Sequence, residues 1–250
     1  MAGASYLAFG PARADTVAPT AGGTAFTDEQ KKALGEIIKD YLIKNPEIMF
    51  ESALDEKSQK DQDAKLKAFM ATNAKTIYRA ADSSVAGDPN GDVTVVEFFD
   101  YNCGYCKRGL PEVQRLIHDD KKVRFVFKEL PILAKGSEEA ARVALAAKRQ
   151  GKYWEFHQAM LGSKGQANEA SALKIAESLG LDMNKVKADM ASDSVKNELQ
   201  ADLQLAKQLG VNGTPHFLVG DKAIPGAPDD LHDQLEGLVS GYRKTGCNIC

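Results

Sequence analysis

The sequence of 250 residues holds four cysteines, and they come as two close pairs, Cys103/Cys106 and Cys247/Cys250. Two cysteines three apart can bind a soft metal, cycle between dithiol and disulfide, or simply fill a core. Neither pair would close a long loop as an internal disulfide, so neither is placed to staple the chain. The first pair lies in "FFDYNCGYCKRGLPEV", residues 98–113, after an apolar run and at the start of a helical pattern. A cysteine at a helix start meets free backbone N–H groups and the positive end of the helix dipole, and both favour the thiolate. Cys103 is therefore the expected nucleophile. Cys106, one turn later and more covered, is placed to attack a mixed disulfide and release the partner. Gly104 keeps the turn open and Tyr105 can stack beside the sulfurs. Lys107 and Arg108 either add positive potential or form a solvated helix face.

Glu97 interrupts an otherwise apolar strand six residues before Cys103. A buried carboxylate is costly, so it should be neutral or paired. In that setting it could accept and return the Cys106 proton through a water; the competing reading is an exposed strand end without a role. Lys128, at the end of the neighbouring strand, is either its ion-pair partner or a solvated lysine. Thr214-Pro215 follows a Val-Asn-Gly turn and opens a strand, a natural place for a cis bond, although most X-Pro bonds are trans. A cis bond would leave the Thr214 backbone free to pair with an extended substrate near Cys103. His216 borders the same place. His157 is read as a packed helical residue and Trp154 as packing under a helical insertion, while His118 and His232 carry no signal. Cys247 and Cys250, in "GCNIC", follow the last helix on a tail expected to be mobile. Three readings stay open for them: a second redox pair exchanging with Cys103/Cys106 or with a reductase, a Cu(I) site, or a disulfide without a role.

These residues need a frame. "VTVVEFF" at 93–99 reads as a strand buried on both faces. Residues 103–118 read as a helix kinked at Pro111, and 122–130 as a second strand, which together make a βαβ unit with a parallel pair. Helical patterns then cover 137–149, 152–161, 169–179, 183–191 and 193–209. A strand at 216–219, a turn at Gly220-Asp221, a short strand through Ile224 and a helix at 229–244 follow. This α/β order is that of the thioredoxin fold, with a helical insertion at about 137–209.

Ahead of it, residues 26–78 carry helical stripes. Thr27 and Gln30 form a capping-box start. Leu34, Ile37, Ile38, Tyr41 and Leu42 recur at helical spacing. Asn45-Pro46 breaks the pattern and Pro46 suits a new helix start. Ile48, Met49, Phe50, Ala53 and Leu54 continue the apolar character, and Leu66, Phe69, Met70 and Ile77 resume it after a polar connector at 55–65. The stripes either fold back on the main domain or pack against copies of themselves. Self-association is favoured, because the connector would hold them away from the body. Residues 1–14, ending in Ala12-Arg13-Ala14, read as a truncated secretory signal cut after Ala14, the alternative being a disordered tail. Residues 15–25 are small and polar and are expected to be disordered. A formal net charge of −3 with 27% charged residues gives no electrostatic reason to expect nucleic acid. An exported chain would meet an oxidising compartment, where disulfides persist.

"VEFFDYNCGYC", "FKELPIL" and "GVNGTPHFLV" resemble the DsbA-like branch of the thioredoxin superfamily over about residues 85–245. The N-terminal helices and the Cys-Gly-Tyr-Cys sequence further resemble the suppressor-of-copper-sensitivity protein C (ScsC) group. The resemblance implies an acid at Glu97, a nucleophile at Cys103, a resolving cysteine at Cys106 and a cis-proline loop at Thr214-Pro215. Gly104, Tyr105, Thr214 and His216 would face the substrate. It implies a periplasmic thiol–disulfide oxidoreductase whose only redox group is its own disulfide, with Cu(I) left open. Its partners would be unfolded or wrongly bridged exported proteins, including copper-stressed ones, and a membrane thiol reductase of the DsbD or ScsB kind. Self-association through residues 26–54, as a trimer, is implied as well. Classical oxidases of the family carry Pro-His between the cysteines and Val before the proline. Gly-Tyr and Thr stand here, which favours a disulfide isomerase or reductase over a strong oxidant. The alternatives are a monomeric dithiol oxidase and a copper-binding protein using the cysteine pairs.

Overall fold

A computed structural model describes residues 26–250, the side chains of 49–55 excepted. The expected signal remnant at 1–14 and disordered stretch at 15–25 lie outside the described residues, as do the side chains of Met49, Phe50, Ala53 and Leu54 in the expected self-association segment. The chain divides into two units at Lys60/Asp61.

In the first unit, α1 (Asp28–Lys44) begins with the expected capping box, in which the Gln30 N–H donates to Thr27 and the Gln30 side chain accepts from the Thr27 N–H. It ends at Asn45, and Pro46 opens α2 (Pro46–Thr72). Among the described residues of α1 none is buried, and Leu34, Ile37, Ile38, Tyr41 and Ile43 stand exposed. The polar stretch 55–65 is not a separate linker but the middle of the continuous helix α2. With Ala and Leu sparse there, i,i+4 pairs such as Lys60–Glu56 support the helix.

The second unit is built on five strands in the order β1-β3-β2-β4-β5. They are β1 (Ser84–Gly87), β2 (Val93–Phe99), β3 (Val123–Glu129), β4 (His216–Val219) and β5 (Lys222–Pro225). β2 and β3 run parallel, joined through α4 (Gly104–Asp119), as the βαβ reading requires, and the other pairs are antiparallel. All seven residues of β2 are buried. The insertion supplies α5 (Lys135–Arg149), α6 (Tyr153–Gly162), α7 (Glu169–Ser178), α8 (Met183–Met190) and α9 (Asp193–Gln208), and α10 (Leu231–Thr245) closes the fold.

Strand alternation sorts the core into two faces. Val93, Val95 and Phe99 of β2 pack with Cys103, Cys106 and the apolar sides of α4, α5, α6 and α10. Val96 and Phe98 pack on the other face with Met70, Ile77, Tyr78 and Leu205. This second face moves the start of the catalytic unit. Residue 85 is the start expected from the sequence, but Leu66, Phe69 and Met70 at the end of α2, and Ile77 and Tyr78 of α3 (Ala74–Tyr78), belong to the core, and the compact unit begins at Asp61. The Tyr78 hydroxyl donates to the Gly220 carbonyl at the β4–β5 turn. Gly220 sits at φ +55, and a Cβ there would run into the Tyr242 ring, so both conformation and space demand glycine.

The tail after α10 is docked, not loose. Ile249 packs against the second-face cluster and Cys250 against the first. Cys247 and Cys250 are joined as a disulfide.

Candidate active site

β2 delivers its chain to the start of α4 through Asp100, Tyr101 and Asn102, and Cys103 becomes the N-cap residue of that helix. The N-cap side chain normally accepts a helix N–H; here the Cys103 sulfur does so, from the Cys106 N–H at 3.4 Å. Its thiol donates to the Thr214 carbonyl at 3.1 Å. The Thr214-Pro215 bond is cis, which presents that carbonyl to the sulfur. Hydrogen bonding from Cys106 first, then from Thr214 and the Cys106 and Tyr105 N–H groups, holds the Cys103 thiol down to about 5 against burial. Burial, the adjacent Cys103 sulfur and the Glu97 carboxylate push the Cys106 thiol far up. The two sulfurs are thus split into a ready nucleophile and a protonated reserve.

Glu97 is 2% exposed. Register sets it beside Phe127 of β3 and Phe217 of β4, on the sheet face that carries the cysteines. Burial first, then the Cys103 charge, raise its carboxyl to about 8. The exposed-end reading of Glu97 is thereby removed. Neither reading of Lys128 holds. It pairs with Phe98 in register and so leaves on the opposite face, where it meets buried Asp202 at 2.9 Å. His216 shares that opposite face by register and is half-buried next to Pro215, with burial lowering its pKa.

Lys107 and Arg108 both reach beyond their helix, Lys107 as a half-buried anchor and Arg108 while staying exposed. The Lys107 ammonium donates to the Ser163 and Gly165 carbonyls at 3.2 and 3.1 Å. The Arg108 guanidinium lies 4.8 Å over the Tyr105 ring, which fixes an aromatic that is 59% exposed beside the cysteines. His157 is buried among Phe99, Phe127, Tyr153 and Trp154 and held neutral, its pKa lowered to about 3 by burial. Trp154 stacks on Phe127 at 5.3 Å.

Two residues that sequence reasoning passed over organise the site. Buried Asp100 accepts the Asn102 N–H on one oxygen and the Ile132 and Leu133 N–H groups on the other, at 2.7, 2.9 and 2.9 Å. The Asn102 amide bonds Ser137 and both backbone groups of Ala167. Asx residues just before a helix start were the available signal. Through them, the cysteine turn is tied to the loop after β3 and to the insertion.

Residues 94–237 match the model of the DSBA-like thioredoxin domain, more than half of the chain. This chain belongs to the DsbA-like thioredoxin family. Residues 30–62 match the model of the copper resistance protein ScsC N-terminal domain, so the DsbA-like domain here is preceded by an ScsC-type segment. A thioredoxin-like oxidoreductase from Silicibacter pomeroyi is 46% identical, with 68% of this chain and 97% of that one covered at a TM-score of 0.65. Proteus mirabilis ScsC, in the form of a linker-deletion mutant with one further substitution, is 27% identical over 90% of this chain and all of that one, at a TM-score of 0.67. A curated relative, Na(+)/H(+) antiporter NhaA 3 of Salinispora tropica, is 34% identical over 160 residues; these are 63% of this chain and 24% of that protein. The chain thus spans about a quarter of the length of such relatives. The DsbA-like family is one of thiol–disulfide oxidoreductases, and the Cys103/Cys106 geometry suits that chemistry.

Proposed function

We propose that this protein is a thiol–disulfide oxidoreductase of exported proteins, working in the periplasm as a disulfide isomerase or reductase. The thiol–disulfide part of this reading is carried by the split pair: Cys103 at the α4 N-cap, its thiol drawn down to about 5, and Cys106 pushed up behind it next to Glu97. The Cys103 thiolate attacks a client disulfide, and one client sulfur leaves as thiolate. In isomerisation that client thiolate, or another, attacks the mixed disulfide and restores Cys103. In reduction, Cys106 gives its proton to the Glu97 carboxylate, attacks Cys103 and releases the client as a dithiol. An external dithiol, supplied by a membrane thiol reductase, then returns the oxidised pair to the reduced state.

Gly-Tyr between the cysteines and Thr before the cis proline favour this reading over a strong oxidase. Tyr105, Ile132 and Leu133, exposed next to the site, give an unfolded client an apolar surface. The open stripe of α1 favours self-association, as a trimer, which would set several sites around one client. A Cu(I)-binding role through the tail would require both its cysteines as thiolates.

The test is recovery of activity from scrambled ribonuclease by pre-reduced protein, comparing wild type with an Ile37→Asp/Ile38→Asp variant. Rescue by wild type and its loss in the variant support an isomerase that acts as an oligomer. If neither rescues the substrate while both, once oxidised to the Cys103–Cys106 disulfide, oxidise a reduced peptide, the protein is an oxidase and the reading falls.

A further inference from the structure

The tail pair repeats, in small, the arrangement at the active site. The Cys250 N–H donates to the Cys247 sulfur at 3.1 Å, as the Cys106 N–H does to Cys103 at 3.4 Å. In the reduced pair that N–H would favour a Cys247 thiolate. Both tail cysteines are half-buried rather than enclosed in the core. A disulfide closing so short a loop restrains the unfolded chain little, so stabilisation is a weak account of it.

The docking of the tail fixes where it can act. Arg79 donates to the Cys250 carbonyl at 3.1 Å and to the Gly91 carbonyl at 2.7 Å. Arg243, near the end of α10, holds Asp92 and Asp120 at 2.7 and 2.9 Å. Gly91 and Asp92 precede β2, whereas Cys103 lies beyond its far end. Seven residues of β2 at about 3.3 Å each span roughly 23 Å. Docked there, the tail of one copy lies at the end of β2 away from its own Cys103.

We propose that Cys247 and Cys250 form a second thiol–disulfide exchange centre, which passes electrons to the Cys103–Cys106 disulfide of a second copy of this chain. The inference rests on the oxidoreductase reading of Cys103/Cys106. An external dithiol first reduces the tail disulfide and becomes a disulfide itself. The Cys247 thiolate then attacks Cys103 of the second copy, the Cys103–Cys106 bond breaks, and Cys106 leaves and takes the proton held by Glu97. Cys250, giving its proton to solvent, attacks Cys247, and Cys103 leaves as thiolate. Two electrons have moved: the tail is a disulfide and the active pair a dithiol. The direction follows from Cys103, whose stabilised thiolate favours the reduced form of the active pair. A second copy is the partner because the docked tail of one copy lies at the opposite end of β2 from its own Cys103, and because α1 exposes an apolar stripe that a second copy would cover.

The experiment mixes two variants without oxygen. The donor is Cys103→Ser/Cys106→Ser with its tail reduced by dithiothreitol and the reagent removed. The acceptor is Cys247→Ser/Cys250→Ser with its active pair oxidised. After an acid quench, alkylation and mass measurement count thiols on each. The acceptor should gain two thiols while the donor loses two, at a rate proportional to both concentrations. An acceptor that stays oxidised beside the reduced donor, yet is reduced by dithiothreitol, overturns the proposal and leaves the oxidoreductase reading standing. A tail disulfide that resists dithiothreitol until urea unfolds the chain overturns it too. If the acceptor cannot exchange with dithiothreitol or a peptide disulfide, the oxidoreductase reading fails first and the inference with it.

Discussion

Two groups at the site have pKa values moved in opposite senses, and each leaves its own trace in pH. Cys103 is pulled down to about 5. Attack on a small disulfide should therefore fall tenfold per pH unit below about 5 and level off above about 6, as the thiolate fraction does. Stopped-flow rates between pH 3.5 and 8 check this, and a rate still climbing between 7 and 9 would contradict the N-cap assignment. Glu97 is pushed up to about 8. Its folded value lies above its unfolded one, so its contribution is fully present below about 4.5 and lost as pH rises through about 8. Wild type should lose stability relative to Glu97→Gln over that window by on the order of 1.4 kcal/mol per pH unit. The two curves should run parallel outside it. Urea unfolding of the reduced proteins across pH measures the difference.

At the level of elements, the cysteine turn is held by polar residues whose importance lies in what they would leave behind. Asn102 satisfies the N–H and carbonyl of Ala167, which is fully buried. Replacing it with Ala strands both, and an unsatisfied buried polar group costs about 1–3 kcal/mol. Asn102→Ala should lower stability by about 2–4 kcal/mol, and hydrogen exchange at 166–168 should quicken first. Asp100 carries three N–H groups on two oxygens, and Asn offers a single acceptor oxygen. Asp100→Asn should free either the turn or the 132–133 loop. We expect a raised KM for a protein client with little change in attack on a small disulfide; equal losses on both would place Asp100 in stability alone. β2, α4 and β3 were legible because a seven-residue β-branched run and a helical stripe leave little choice. β1, whose residues Ser84–Gly87 stand just before the Asp-Pro-Asn-Gly turn without a flanking apolar run, was not read as a strand. Lys128 was misjudged because its face depends on the β2–β3 register, and its partner Asp202 lies far along the chain. Asp100 and Asn102 looked like ordinary loop residues, since their partners come from three separate elements.

For the whole molecule, the number of copies that act together turns on α1. Its exposed side chains Leu34, Ile37, Ile38, Tyr41 and Ile43 form a stripe that no described residue of its own helix covers. Burying one aliphatic side chain fully is worth about 1.5–3 kcal/mol, so several together can offset the entropy lost when copies associate. A mass above one chain is therefore expected in light scattering at micromolar concentration. Two aspartates at Ile37 and Ile38 would set like charges into the covered face and should return the mass to a single chain. The midpoint of unfolding of the unit from Asp61 onward should stay put, because its core holds no residue of α1. A variant that unfolds at lower temperature yet keeps its mass would move the stripe from an interface between copies to a packing surface within one.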